Sequence, residues 1–278
     1  MKYFPKECLS VLNIHYDFYT LDYFLDCMAA LGVANVELLG GHQGVWIDAG
    51  GFADPKPILQ KLRERGLKCP VITPDNCCLQ YEVDVKEPLL REKAFAYFQN
   101  GLRLGAELGA KFMEINSGRG YWNEDPKEAR KRAADMLHRL AEEAEHYDMT
   151  LVCESLRPQE SIFGYTLPQM KELYDMVRHP RFKMMIDTTA MCVSGETIQQ
   201  WFDVFGQENI LHTHFQDCDP YGHRIWGDGA QDLNGFLKAL YDNGYTGLIS
   251  QELTVREYYH DPFFYDSRNV ANLNQYLY

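Results

Sequence analysis

The sequence lacks any long hydrophobic run. No stretch of its 278 residues approaches the roughly 20 apolar residues that are needed to cross a bilayer. The opening segment MKYFPKECLSVLN also lacks the apolar run and the small-residue cleavage site of a secretory signal. These absences exclude a membrane-spanning protein, and we expect a cytoplasmic protein that has no membrane partner.

Basic residues are scarce. The chain has 27 Lys and Arg against 40 Asp and Glu, so its formal net charge is -13. Binding to a nucleic-acid backbone needs a positive face, and the charge balance therefore argues against a nucleic-acid partner. It does not argue against small neutral or cationic ligands.

Paired cysteine motifs are also missing. The eight cysteines are scattered along the chain, and none forms a C-x-x-C pair. In a chain of this length the pattern indicates reduced thiols that mostly fill the core, as in cytosolic proteins. It excludes a disulfide framework and a cysteine-based zinc site.

What the chain does have is a regular alternation of two patterns. Short apolar runs, each bounded by turn or polar residues and too short for a helix, predict strands. Amphipathic segments between these runs predict helices. The predicted strands are 9–13, 35–39, 68–73, 111–116, 150–155, 183–187, 210–215 and 247–253, and the predicted helices are roughly 20–32, 55–65, 87–108, 126–148, 167–178, 196–205, 232–243 and 263–276.

Eight strand–helix units in succession predict a parallel sheet. No linker or low-complexity segment interrupts them. Because about 250 residues is typical of a closed (β/α)8 TIM barrel, we expect that fold, as a single domain over residues 1–278. A doubly wound open sheet is the alternative, and the absence of a glycine-rich loop after the first strand argues against it.

Four charged residues share one position, the carboxyl end of a predicted strand. They close the runs LVCE, MMID, ILHTH and LISQE on strands five to eight, and they are Glu154, Asp187, His214 and Glu252. Barrel enzymes build their sites at these strand ends. Because a charge there is costly unless it is paired or binds a metal, we expect the four side chains to converge on one metal ion.

The donor set indicates which ion this is. Three carboxylates and one imidazole form a hard, oxygen-rich site that suits Mn²⁺ best, with Mg²⁺, Co²⁺ or Zn²⁺ as alternatives. Any one of the residues alone would more often form a salt bridge or be a core histidine, but four on successive strands favour a metal site. His212 points to the same face as His214 one layer deeper, where we expect it to support the ligands.

The stretches CESLRPQES, MMIDTT, LHTHFQD, WGDG and SQEL carry a resemblance to a known family. In order and spacing they resemble the strand-end motifs of the sugar isomerase/epimerase superfamily of xylose isomerase-like TIM barrels. The resemblance covers nearly the whole chain and is strongest over 150–253. VELLGGH, ITPDN and the second carboxylate of ESLRPQES make the chain most similar to the ketose 3-epimerases, in particular the fructoselysine 3-epimerase type.

The resemblance implies a sugar substrate, a divalent metal and a set of roles. It assigns the metal to the same four residues and makes Glu154 and Glu252 the acid/base pair, while Glu160 supports the reacting end of the substrate. In such a reaction the carbon beside a ketone loses a proton to one carboxylate and regains it on the opposite face from the other. The intermediate is an ene-diolate, whose charge a divalent cation stabilises.

The chain departs from the tagatose- and psicose-type epimerases at two positions. Their histidine three residues after the metal aspartate is Ala190 here, and their arginine six residues after the metal histidine is Pro220. His223 and Arg224 follow closely and are the expected replacements. Both losses weigh against a free ketose as the substrate.

The substrate contacts are predicted from polar residues at barrel mouths, which can hydrogen-bond sugar hydroxyls. Each of them is also explained by an ordinary loop or capping role. The substrate-binding set comprises Glu160, His212, Arg224, Asn116 and His42, with His15, Tyr16, Gln43 and Asn76 as further candidates and Trp46, Tyr121 and Trp122 as an apolar wall. The aromatic tail after 255 predicts either a helix packed on the barrel or a contact in a homo-oligomer.

Four other functions compete with the epimerase. A keto-inositol dehydratase and an aldose–ketose isomerase would use nearly the same metal site. An endonuclease for abasic DNA would need a basic face and many histidines, which the net charge of -13 disfavours. A sugar-binding module without activity would not need two carboxylates arranged for proton transfer.

Overall fold

The computed structural model describes residues 1–41, 44–76 and 81–278. In these residues eight parallel strands close into a barrel, and each strand pairs with the strands before and after it in the chain. Strand one pairs with both strand two and strand eight, which closes the circle. The barrel confirms the predicted (β/α)8 fold and excludes the open sheet.

The barrel strands agree closely with the predicted apolar runs. Each pairs in parallel, and so all eight carboxyl ends lie at one rim. The strands are β1 Leu9–Leu12, β2 Asn35–Gly40, β3 Lys68–Pro74, β4 Phe112–Asn116, β5 Thr150–Glu154, β6 Phe182–Asp187, β7 Ile210–His214 and β8 Leu248–Gln251.

Helices connect the strands and cover the outside of the barrel. Several begin with a capping side chain followed by proline, as in α2 and α4, where Asp54 and Asp125 accept from the backbone. The helices among the described residues are α1 Leu21–Leu31, α2 Pro55–Glu64, α3 Pro88–Leu108, α4 Pro126–Glu145, α5 Leu167–Val177, α6 Thr188–Val193, α7 Ile198–Phe205, α8 Leu233–Asp242 and α9 Pro262–Asn274. No helix in the described chain combines the length and the apolar character of a membrane span.

Helix α6 is an element that the sequence prediction did not include. It begins directly after β6, and the backbone N–H of Ala190 donates to Oδ1 of its N-cap residue Asp187 (2.5 Å). The run TTAMCV has no polar face, and therefore it shows no helical period. The consequence is functional, because the N-terminus of α6 fixes the carboxylate that ends β6.

Two features place further side chains at the rim. A short antiparallel hairpin pairs Asp217–Cys218 with His223–Arg224 and so carries His223 back over the barrel. Helix α9 packs against the first loop, where the buried Asp266 accepts from Tyr16 (2.7 Å) and lies 2.8 Å from Nε2 of His15. The tail is therefore a packed helix, as one of the two predictions had it, while an oligomer contact stays a prediction.

Candidate active site

The four strand-end residues meet at the rim of the barrel. Glu154, Asp187 and His214 are the last residues of β5, β6 and β7, and Glu252 directly follows β8. One ligand atom from each lies within 4.8 Å of every other. The set offers three carboxylate oxygens and one imidazole nitrogen, the donor chemistry that divalent cations of the Mn²⁺ or Zn²⁺ kind accept. The geometry of the side chains therefore fits a single divalent cation.

His214 lies at the centre of this cluster. Its Nδ1 is 2.5 Å from Oε1 of Glu154 and 3.4 Å from Oε2 of Glu252. Burial lowers the pKa of His214, but the charges of Glu154 and Glu37 outweigh that effect and raise the pKa well above its ordinary value. Without a metal, a proton on His214 compensates the carboxylates. A cation that binds at Nδ1 has to displace that proton.

The carboxylates of the cluster differ in their electrostatics. Burial raises the pKa of Glu154, and the positive charge of His214 offsets this only in part. Burial also raises the pKa of Glu252, but the charges of His223 and His214 outweigh burial there, and the pKa is lowered. Two carboxylates whose environments separate their pKa values are suited to opposite roles in a proton transfer.

Beneath the cluster, Glu37 on β2 organises a buried hydrogen-bond network. Its Oε1 accepts from Thr73 (2.5 Å) and from Nε2 of His214 (3.1 Å), and its Oε2 accepts from Nε2 of His212 (2.9 Å) and from Ser250 (2.6 Å). Because a carboxylate only accepts, Nε2 of His214 carries a hydrogen. This contact turns Nδ1 toward the ligand cluster, as carboxylates behind metal-binding histidines commonly do.

Burial raises the pKa of Glu37, but the charges of His212 and His214 outweigh it and hold the pKa well below its usual range. The Glu37 carboxylate therefore stays ionised inside the barrel. It supplies a fixed negative charge behind His214 that favours a cation in front of it.

Asp187 is held from three sides. Its oxygens accept from the backbone of Ala190 (2.5 Å) and from the side chain of Gln216. Nε2 of His223 lies 3.5 Å from Oδ2 of Asp187, and Nδ1 of the same ring lies 3.7 Å from Oε2 of Glu252. Thr254 positions this ring through a 2.8 Å contact with Nδ1. His223 is thus the second imidazole beside the cluster.

A cavity opens above the cluster at the carboxyl end of the barrel. Its empty volume, including the part open to solvent, is about 650 Å³, within the range of sites that take small molecules. The buried end is lined by Glu114, Glu154, His214 and Glu252, and apolar side chains such as Leu39 form the walls. The more exposed end carries Asp17, Arg256 and Tyr259.

The sequence of the chain matches one family model along most of its length. Residues 25–270 match the model described as xylose isomerase-like TIM barrel. The chain belongs to the xylose isomerase-like TIM barrel family. Its four-residue cluster lies at the rim where barrel enzymes carry their sites.

Several relatives of this family member are similar over most of the chain. Fructoselysine 3-epimerase of Escherichia coli O157:H7 is 26% identical over 242 residues, which cover 84% of this chain and 86% of that protein. The structure of D-allulose 3-epimerase from Methylomonas sp. superimposes with a TM-score of 0.81 at 16% identity and covers 100% of both chains. The IOLI protein, whose structure contains a zinc atom, gives a TM-score of 0.78 at 16% identity over 97% of this chain and 99% of that one.

The predicted substrate residues Glu160 and Arg224 do not line the described part of the cavity. Glu160 pairs with Arg157, whose Nε donates to Oε2 at 2.9 Å. Nη1 of Arg224 lies 4.0 Å from Oε1 of Glu257. The ion pair holds the carboxylate of Glu160 beside Arg157. Their roles as substrate residues stay predictions.

Two other predicted substrate residues are buried behind the cavity. His212 has no exposed surface, contacts Glu37 and does not line the described part of the cavity, and its substrate role stays a prediction. Asn116 donates to the backbone carbonyl of Asn76 (3.1 Å), and of these two asparagines only Asn76 lines the cavity. His42, the fifth prediction, lies outside the described residues, as does Gln43.

The remaining candidates divide by exposure. His15 and Tyr16 are buried against α9 and serve the packing of that helix. The predicted aromatic wall is open to solvent: Trp46 is 55% exposed, Tyr121 41% and Trp122 79%. None of these three side chains lines the described part of the cavity.

Sequence analysis missed two buried glutamates, Glu37 and Glu114. Both stand inside apolar strands, in NVELL and KFMEIN. Their positions in the sequence could have indicated a function, because burying a carboxylate in the middle of a strand costs as much free energy as burying one at its end. Neither residue ends its strand, and neither lies on strands five to eight, where the pattern of strand-end charges predicts the cluster.

Proposed function

We propose that this protein is a divalent-metal-dependent isomerase that inverts C3 of a ketose or a fructosamine-like ketose derivative. One observation carries the proposal: two carboxylates, Glu154 and Glu252, flank the same imidazole at the buried end of a cavity. The similarity to fructoselysine 3-epimerase over 84% of the chain supports the same reaction. Mn²⁺ is the proposed ion because three of the four donors are carboxylates.

Each residue of the cluster has a part in the proposed reaction. Glu154, Asp187, His214 and Glu252 would hold the cation, which supplies Lewis-acid polarisation of the substrate carbonyl and the adjacent hydroxyl. One of the two glutamates removes the proton at C3, and the other returns a proton to the opposite face. The buried floor excludes water while the ene-diolate exists.

The uneven charge of the cavity supports a substrate with a charged substituent. The guanidinium of Arg256 is exposed over the ring of Tyr259, 4.8 Å from its centroid, and Asp17 lies on the same outer part of the wall. A ketose that carries an amino acid has a carboxylate for Arg256 and an ammonium group for Asp17. A free hexose has neither group. The outer end therefore favours the fructosamine-like class.

The proposed reaction is tested by exchange of hydrogen with solvent. We expect the protein with Mn²⁺ in D₂O to place deuterium at C3 of fructoselysine, together with the inverted epimer, and EDTA to stop both. D-Fructose and D-fructose 6-phosphate serve as comparison substrates, and NMR follows C1 and C3. Exchange at C1 would indicate an aldose–ketose isomerase instead, and loss of water from a keto-inositol would indicate a dehydratase. Absence of exchange from every ketose would contradict the proposal.

Replacement of Arg256 by glutamine is expected to raise KM for fructoselysine about fivefold, the value of one exposed ion pair. KM for D-fructose should change by less than about twofold, because D-fructose has no carboxylate for the guanidinium to bind. Steady-state kinetics with both substrates measure the difference. Arg139→Gln is the matched control, since Arg139 also lies over an aromatic ring, that of Phe95, and does not line the described cavity. Equal effects of R256Q on both substrates would rule out the charged-substituent interpretation.

A further inference from the structure

Glu114 faces the same cavity as the ligand cluster but is not part of that cluster. In the pairing of β4 with β5, Asn116 stands opposite Glu154 and Glu114 stands opposite Val152. Glu114 therefore lies two residues deeper in the barrel than the level of Glu154. Its side chain lines the cavity and is only 2% exposed. Two groups of described residues have ligand atoms close enough to share a cation: one is the four-residue cluster, and the other consists of Glu37, His212 and His214. Glu114 belongs to neither group.

The carboxyl group of Glu114 has an unused hydrogen-bonding position. Among the described residues, Oε1 has no hydrogen-bond partner, although it is fully buried. Glu37, the comparable glutamate of β2, accepts from four donors. A buried carboxyl oxygen without a partner is destabilising. A side chain that is retained at this cost, on the wall of a cavity, is a candidate for a contact that only a ligand completes.

We propose that Glu114 is a substrate-binding residue whose carboxyl group hydrogen-bonds a hydroxyl of the ketose chain. The inference rests on the proposed function, because it needs a sugar in this cavity. A carboxyl group forms this bond in either protonation state, since a hydroxyl both donates and accepts. The position deep in the cavity, beside the carboxylates of the cluster, places the contact near the reacting end of the sugar. Glu114 thereby selects for a hydroxylated chain at that point.

The test uses two substitutions of Glu114 and compares substrate binding with stability. Glu114→Met fills the space without a polar group, and Glu114→Gln keeps a hydrogen-bonding group of the same shape. We expect Glu114→Met to raise KM for the ketose that is active in the exchange assay about tenfold, the cost of one good hydrogen bond. The kcat should change less than KM, and Glu114→Gln should recover much of the binding.

Stability and metal affinity separate this role from a structural one. Because the substitution removes an unpartnered buried oxygen, Glu114→Met should unfold at or above the temperature of the unchanged protein. The affinity for Mn²⁺, measured by calorimetry without substrate, should remain within about threefold. Glu82→Gln is the matched control: Oε2 of Glu82 is also buried without a partner among the described residues, but Glu82 does not line the described cavity. It should leave KM unchanged.

Singly deoxygenated versions of the active ketose identify the hydroxyl. The analogue that lacks the contacted hydroxyl should bind more weakly to the unchanged protein and equally well to Glu114→Met. An unchanged KM in Glu114→Met, or a loss of Mn²⁺ affinity without a change in KM, would overturn the inference and leave the epimerase intact. If the unchanged protein exchanges no ketose at all, the proposed function fails first, and this inference fails with it.

Discussion

Replacement of either Glu154 or Glu252 by glutamine is expected to lower the rate of epimerisation by at least about 10³-fold. A positioned general acid or base contributes roughly 10² to 10⁴-fold, and each glutamine also weakens a metal ligand. Oε1 of Glu154 and Oε2 of Glu252 lie 2.5 and 3.4 Å from Nδ1 of His214. Inversion needs both faces of C3, and so the loss of one carboxylate is enough to stop it.

The face of C3 at which hydrogen exchanges with solvent distinguishes the two glutamates. A variant that keeps the base on the face of the C3 hydrogen still removes the proton, and it returns deuterium from that same face. For one epimer we therefore expect one glutamine variant to exchange hydrogen with retained configuration, while the other variant exchanges nothing. The pattern should reverse when the opposite epimer is the substrate. NMR of C3 in D₂O reads out both events in one experiment.

Asp187→Asn is the control that weakens the proposed metal site but keeps both glutamates of the proposed acid/base pair. Asp187 belongs to the cluster but has no predicted part in proton transfer. Excess Mn²⁺ should therefore restore much of the activity of D187N, whereas E154Q and E252Q should remain inactive with the ion bound. Full activity of either glutamine variant at saturating Mn²⁺ would remove its residue from the acid/base pair.

The cluster of four residues could be predicted from the sequence because each of them ends an apolar run. A charged residue at the end of a buried strand is unfavourable in free energy unless it is paired or binds a metal, and parallel strands bring such ends together. Asp187 and His214 could therefore be placed at one rim from the spacing of strands alone. The closed barrel followed from the same alternation of short apolar runs and amphipathic segments.

The surroundings of the cluster could not be predicted in the same way. Glu160 stands six residues after Glu154, but the fold of that loop pairs it with Arg157. His223 reaches the cluster only because a short hairpin, in which Asp217–Cys218 pairs with His223–Arg224, reverses the chain after β7. Such loop paths depend on individual turns and ion pairs that leave no period in the sequence. The surroundings of Glu37 could not be predicted for another reason: its four hydrogen-bond donors come from three strands that are far from it in the sequence.

Glu37→Gln is expected to destabilise the protein and to weaken the metal site together. The two oxygens of Glu37 accept four hydrogen bonds, and an amide nitrogen in place of one oxygen would face two donors. Breaking such a buried, charged network costs about 3 kcal/mol or more, which corresponds in a chain of this length to a fall of roughly 5 °C in the melting temperature. Thermal unfolding in the presence of EDTA measures this part of the effect without the metal.

The metal affinity should fall in the same variant by about 10- to 100-fold, the usual effect of removing the carboxylate behind a ligand histidine. The amide leaves one oxygen as acceptor for the four donors, so the contact with Nε2 of His214 weakens and Nδ1 is held less firmly toward Glu154. Calorimetry with Mn²⁺ reports the affinity independently of any substrate. Glu114→Gln provides the comparison, because this second buried glutamate has an oxygen without a partner among the described residues. If both glutamine variants melted and bound Mn²⁺ alike, the network around Glu37 would not be what positions His214.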